Sequence, residues 1–285
     1  MTLLRHVESC NVYQSDRFVP LTHQGVRLGL VRRDNAVILR RFPAVFAVSA
    51  DAVRIDAAGG FDAVSAAVDA VVEALVTDGI IPKWRNEFFA VAPRWGTPAH
   101  FKLDRGAVPF FGTRAYGVHL NGFRHDAGKL RLWIGRRAPD KKVAPDKLDN
   151  LVAGGIGEGH GLFETLVKEA AEEAAIPYAL IQHALPAGAI SYRMETPLGV
   201  RDDVLFVYDL ETPADFVPRN TDGEISAFHL MDATEAIERV RGSDDFKFNV
   251  NLVIIDFALR CGLLSVDEPD YLDLAIGLHR PLDQP

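Results

Sequence analysis

A chain of 285 residues, 48% of them hydrophobic, can bury a self-supporting core as one large domain or two ordinary ones. A formal net charge of -8 argues against nucleic acid as a partner, because a phosphate backbone needs a basic stripe. Only Cys10 and Cys261 are present, no apolar run reaches membrane-spanning length, and the start MTLLRHVESCNVYQSDRF lacks the apolar core of a signal peptide; these predict a reduced, cytoplasmic protein with no membrane partner, as monomer or homodimer.

Along the chain, GVRLGLVRRDNAVILRRF suggests two short segments around a turn at Asp34-Asn35. In GFDAVSAAVDAVVEALVTDGIIP, the residues Phe61, Val64, Val68, Val71, Val72 and Leu75 recur at helical spacing, and Gly79 follows as a stop. IIPKWRNEFFAVAP reads as a turn and a strand. From Arg114 the character becomes strand-like, with YGVHLNGFRH and KLRLWIGRRA predicting a hairpin across Asp126-Ala127-Gly128. A basic loop, APDKKVAPDKLDN, leads to a loop holding Gly154, Gly155, Gly157, Gly159 and Gly161, then to a helix over 162–174. AISYRMET, DVLFVYDLET and ISAFHLM read as strands, followed by helices around 232–241 and 247–260, while Asp202-Asp203 and Asp244-Asp245 read as turn and cap residues. Helices packed on a strand-rich sheet predict an α/β (α+β) fold.

The helix in VAGGIGEGHGLFETLVKEAAEEAAIP carries the chemistry. At 3.6 residues per turn, Leu162, Phe163, Leu166, Val167, Ala170 and Ala174 form an apolar stripe of about 140°. Glu169, Glu172 and Glu173 share an arc of roughly 100° beside it, and Glu173 falls within the edge of the stripe. Like charges at i,i+4 repel and desolvation adds to the cost, while Lys168, paired i,i+4 with Glu164, reaches the acids only in part. A hard divalent cation, Mg²⁺ or Mn²⁺, would neutralise the cluster. The same letters also suit a solvated helix, but the five glycines before it are then unexplained. A phosphate-cradling P-loop is excluded because no Gly-Lys-Ser/Thr ends the run, and no zinc spacing or GxSxG elbow occurs.

The stretch resembles the signature of the Nudix hydrolase superfamily. Gly154 takes the first position, Lys168-Glu169 stands for Arg-Glu, Glu172-Glu173 is the acidic pair, and Ala175-Ile176 closes the motif. His160 stands where the loop Glu belongs, Lys168 where Arg does, and Ala175 where Gly does. Together with DGIIPKWRNEFFAV, FKLDRGAVPFFGTRAYGVHLNG, LRLWIGRR, KLDNLVAGGI, NTDGEISAFHLM and FKFNVNLVIIDFALRCGLL, it resembles the thiamine pyrophosphokinase-related Nudix proteins, which carry an extra N-terminal domain.

That resemblance implies a Nudix α/β/α sandwich over 113–285, with an N-terminal α+β accessory domain over 1–112 that helps build the substrate pocket. It implies metal ligation by Glu169, Glu172 and Glu173 with the Gly154 carbonyl, and a general base at Glu169 or Glu224. The implied substrate is a small organic diphosphate, thiamine diphosphate or an oxidised or damaged analogue, cleaved to the monophosphate. A broader diphosphatase acting on nucleoside diphosphate derivatives, or a catalytically silent ligand-binding module, remain as alternatives. Arg136 and Arg137 end a strand beside the basic loop of Lys141, Lys142 and Lys147, so one should face the diphosphate and the other away. Trp84, with Arg85 and Glu87 beside it, is the first choice for contact with a heteroaromatic ring, ahead of Trp133, Tyr116 and Phe123. His119 and Asn121 alternate to one strand face, suited either to ring nitrogens or to an internal structural role.

Overall fold

The structure, a computed structural model, describes residues 2–281, so the expected ranges 1–112 and 113–285 both end outside the described residues. A short helix α1 (Leu4–Ser9) precedes the hairpin of β1 (Phe18–His23) and β2 (Val26–Arg32). The Asp34-Asn35 turn does not form. Those residues open helix α2 (Arg33–Leu39), with Asp34 in the first turn, where the helix dipole favours an acid, and Ala36 and Leu39 in the core. Asn35 is buried, and its amide donates to the carbonyls of Leu198 at 2.8 Å and Phe110 at 3.3 Å.

Strands β3 (Phe46–Val48) and β4 (Val53–Ile55) complete a four-stranded sheet of order β2-β1-β4-β3. Helix α3 (Phe61–Thr77) buries Val64, Val68, Val71, Val72 and Leu75 as its periodicity predicts, and ends just before Gly79 at φ 71°. A two-stranded ribbon of β5 (Phe88–Val91) and β6 (Phe101–Asp104) packs on α3, and a single turn α4 (Val108–Phe111) leads out of this part.

The main sheet begins with β7 (Arg114–Asp126) and β8 (Lys129–Arg137), the predicted hairpin, turned by Ala127 at φ 49° and Gly128 at φ 78°. Strands β9 (Leu148–Asp149) and β10 (Val152–Gly155) follow, then helix α5 (Leu162–Ala174), a turn of helix α6 (Tyr178–Ile181), and the hairpin β11 (Leu185–Thr196) and β12 (Gly199–Glu211). Strand β13 (Ile225–Asp232) and helices α7 (Ala233–Gly242), α8 (Val250–Arg260) and α9 (Tyr271–Leu278) finish the chain. The strand order is β11-β12-β7-β8-β13, with β12 parallel to β7. Helix α5 covers one face over Tyr116, Val118 and Leu120, while α7, α8 and α9 cover the other over Leu205 and Val207. This is a mixed α/β protein with an α/β/α sandwich. Leu3, Val7 and Cys10 pack into the second of these cores, so α1 sits with the sandwich and a break at 112/113 does not contain it.

One irregularity positions the site. β7 pairs with β8 only from Phe123 onward, and its earlier residues Gly117 to Leu120 pair with β10, so the two strands fork and β9-β10 fills the gap. Gly122 makes room at the fork, since a Cβ there would lie 2.2 Å from Leu151 Cδ2. Backbone pairing lapses at this point, and side chains replace it: the Asn150 amide donates to Asn121 Oδ1 at 2.8 Å, and Asn150 Oδ1 lies 2.8 Å from His119 Nδ1. Asp202 and Asp203, expected in a turn, instead lie buried within β12, where Asp202 meets Arg114 at 2.9 Å and Arg193 at 3.0 Å, and Asp203 accepts from the Tyr192 hydroxyl at 2.6 Å. The parallel pairing with β7, which only the fold creates, supplies the Arg114 partner.

Candidate active site

Gly154 and Gly155 belong to β10 rather than to a loop, and the loop proper runs from Ile156 to Gly161. The packing shows why Gly154 is glycine. A Cβ built on it would lie 2.4 Å from both Cγ and Cδ of Glu169, so the Glu169 side chain lies flat against the strand backbone. At Gly155 a Cβ would meet Phe89 Cζ at 2.6 Å and Glu87 Oε1 at 3.6 Å, which brings the β5 region against the same strand. Gly154→Ala is expected to lower kcat/KM about 10²-fold by displacing Glu169, with little change in melting temperature. Unchanged kinetics in that variant would show that the contact has no catalytic role.

The buried side of α5 departs from the expected stripe at Phe163, which is 37% exposed, and at Thr165, which is buried; Glu173, at the stripe's edge, is 4% exposed. The Ala153 N–H on the outer edge of β10 donates to Glu173 Oε2 at 2.8 Å, and among the described residues no cation stands within ion-pair distance of this carboxylate. Burial pushes the Glu173 carboxyl well above the usual range, opposed by the Ala153 bond and reinforced by the charges of Asp149, Glu169 and Glu224. Burial likewise raises Glu169, with Lys168 opposing and Glu172 and Glu224 adding to the rise. Lys168 does not pair with Glu164. It lies 3.3 Å from Glu169 and 3.2 Å from Glu172, while Glu164 accepts from the Gly161 N–H at 3.1 Å and faces His160 at 3.5 Å. His160 therefore closes the start of the helix.

Glu224 reaches the cluster through a self-tied loop. Thr221 N–H and hydroxyl both bond the Glu172 carbonyl, at 3.1 and 2.7 Å, and Asp222 accepts the Glu224 N–H at 2.8 Å. Its carboxylate pairs with Lys141 of the basic loop, while Lys147 donates to the Asp244 carbonyl.

Other predicted contacts fall elsewhere. Arg137 points inward and Arg136 outward, as strand alternation requires, but the Arg137 donors are consumed by Asp149 at 2.7 Å and by the carbonyls of Val143 and Ala144, and Arg136 holds Asp146 at 3.1 Å. His119 and Asn121 are buried, 3% and 1% exposed, facing away from α5 within the fork, so the internal role is the one they fill. Trp84 is half-buried at the margin of the N-terminal core, edge-on to Phe88 at 5.8 Å, and Trp133 is buried and donates to Thr212. Glu87 pairs with Arg105 at 2.8 Å close to Gly155, whereas Arg85 contributes its backbone N–H to the Asp104 carboxylate at 3.0 Å.

Two groups were not legible. Asp149 lies between Arg137 and Lys247, with Lys247 Nζ at 3.5 Å; burial opposes its charge, but the two cations outweigh it and hold the carboxyl below the usual range. Lys247 comes from just before α8, nearly a hundred residues away, and only its isolation in an apolar stretch could have signalled it. The clefts around Arg124 and His183 and around Lys129 and Asp232 lie at the far end of β7 from Gly154 and hold none of these acids.

Against known proteins, the family model described as "Domain of unknown function (DUF4743)" matches residues 2–115. "Nudix hydrolase 24, chloroplastic" of Arabidopsis thaliana is 38% identical over 276 residues, covering 95% of this chain and 76% of the relative. The chain belongs to the Nudix hydrolases. "Nudix hydrolase 20, chloroplastic" of the same plant is also 38% identical, over 268 residues, with 90% of this chain and 71% of the relative covered. Among solved structures, DR0079 from Deinococcus radiodurans aligns at 20% identity and a TM-score of 0.44, over 59% of this chain and 97% of its own.

Nudix hydrolases use divalent metal ions, and the donor chemistry here fits one. The oxygen donors of Glu169, Glu172, Glu173, Glu224 and the Gly154 carbonyl are hard, and their negative charge exceeds that of Lys168 and Lys141. Glu173 is a buried acid with a single N–H partner. Among the described residues no three acids stand at metal-ligand spacing, and Lys168 contacts both Glu169 and Glu172.

Proposed function

We propose that this Nudix hydrolase cleaves the diphosphate of a small organic diphosphate, thiamine diphosphate or an oxidised analogue, to the monophosphate and orthophosphate. Glu173, buried without a cation in ion-pair reach and within the field of Asp149, Glu169 and Glu224, is the observation that carries the reading. Glu169, Glu172 and Glu173, with the Gly154 carbonyl, would hold Mg²⁺ or Mn²⁺, which when bound screens the diphosphate and acidifies water. Glu169, lying flat against the Gly154 backbone, takes the proton of the attacking water at its carboxylate. Glu224, tied to Lys141 at the rim, orients rather than accepts. Lys141 offers a cation to the diphosphate oxygens when it leaves Glu224. We assign residues 1–112 an accessory role in the pocket, supported by the approach of Glu87 and Phe89 to Gly155.

The thiamine assignment rests on the resemblance across the N-terminal and C-terminal segments. Its test is orthophosphate release from thiamine diphosphate, its oxidised analogues and nucleoside diphosphates, with Mg²⁺ or Mn²⁺. Chelation with EDTA is expected to abolish turnover and either metal to restore it. Release confined to nucleotides removes the thiamine assignment. Tight binding without release from any substrate favours a silent module.

A further inference from the structure

Trp95 is the most exposed of the three tryptophans, at 46%, against a half-buried Trp84 and a buried Trp133. It lies in the loop joining β5 and β6, and the buried Tyr116 and half-buried Phe206 pack against its ring, each with its ring centroid 4.8 Å away. An indole held by two aromatics on one side and left bare on the other keeps a flat apolar surface in water without a partner within the chain.

Its location gives that surface an occupant. Tyr116 and Val118 point to the same face of β7, the face that α5 covers, and Val118 pairs with Gly154, against which Glu169 lies. Tyr116 is two residues from that point, roughly 7 Å along the strand. The Ile156 N–H bonds the Tyr116 carbonyl at 2.9 Å, so the glycine loop starts beside the aromatic group. Trp95, resting on Tyr116, and Glu169, resting on Gly154 opposite Val118, thus lie along one face of β7, about two residues apart.

We propose that Trp95 is the specificity-determining platform on which the heteroaromatic ring of the substrate stacks, with its diphosphate at the acid helix. This rests on the proposed diphosphate hydrolysis for its catalytic consequence, but not for binding. Trp95 makes no contact with the acids, so its loss leaves the chemistry on a ringless substrate unchanged.

The test compares Trp95→Ala and Trp95→Phe with the natural chain, with Mg²⁺ present. Calorimetry reads binding of thiamine monophosphate, which carries the ring but is not a diphosphate, against propyl phosphate. Kinetics read kcat/KM on thiamine diphosphate against propyl diphosphate. Trp95→Ala is expected to weaken thiamine monophosphate binding about tenfold and raise KM for thiamine diphosphate similarly at near-constant kcat. Trp95→Phe should recover most of both, with the propyl compounds unaffected. Unchanged thiamine monophosphate affinity in Trp95→Ala, equal losses on ring and propyl compounds, or no binding by the natural chain each overturns the platform. Ring-dependent binding without hydrolysis of any diphosphate upholds the platform and removes the proposed reaction instead.

Discussion

Replacing Glu172 and Glu173 together by glutamine is expected to lower kcat/KM on any diphosphate substrate by about 10³-fold without unfolding the protein. The substitution is conservative where it matters for folding. A glutamine at 173 keeps an acceptor for the Ala153 N–H, now held at 2.8 Å, and removes a carboxylate that burial penalises. Glu172 is half exposed and pairs only with Lys168, so its replacement costs about 0.5 kcal/mol or less. Thermal unfolding of the metal-free double variant should therefore match or exceed that of the natural chain. Turnover at the natural rate would exclude the acid helix from the chemistry, and a collapse in melting temperature would assign these acids to structure.

Stability should fall steeply in mild acid, through His119. Burial pushes its pKa from the ordinary 6.5 down to about 4, with Lys247 adding to the fall and Asp149 and Asn150 resisting it. The unfolded chain takes up a proton on this ring below pH 6.5, whereas the folded chain does so only near pH 4. The contribution is complete above pH 6.5 and lost as pH falls towards 4, about 3 kcal/mol in all. Urea unfolding measured from pH 7 to 4 should show this loss in the natural chain and not in His119→Gln. Parallel pH profiles for the two would show that folding leaves the His119 pKa unshifted.

Local pattern made the acid helix legible. A period of 3.6 put Glu173 at the edge of the apolar stripe, and it is buried; the same arithmetic put Phe163 on that stripe, and it is exposed. The difference lies in what α5 packs against, for β10 meets the Glu173 side of the helix and supplies the Ala153 N–H. The β7–β8 hairpin was legible because Asp126-Ala127-Gly128 is a local turn signal. Asp34-Asn35 misled because acids and amides favour turns and helix starts alike, and only the burial of Ala36 and Leu39 distinguishes them.

The ligand-facing residues were harder. His119 and Asn121 are polar letters on one face of a strand, and the sequence contains no mark of the fork that encloses them. Trp84 and Trp95 are equally aromatic, yet one packs on Phe88 in a core and the other lies on Tyr116 and Phe206 with its outer face bare. By itself the sequence determined most element types, though not α2 at Asp34-Asn35 or β12 at Asp202-Asp203, together with the mixed α/β class, the acidic helix and the glycines before it, because each depends on neighbours within a few residues. The tertiary structure alone decided which acid is buried, that Glu169 rests on Gly154, that Asp149 joins Arg137 and Lys247, and which tryptophan is open. Those facts depend on pairings between distant segments, where the energy of burying a charge or a ring is set by what the fold brings against it.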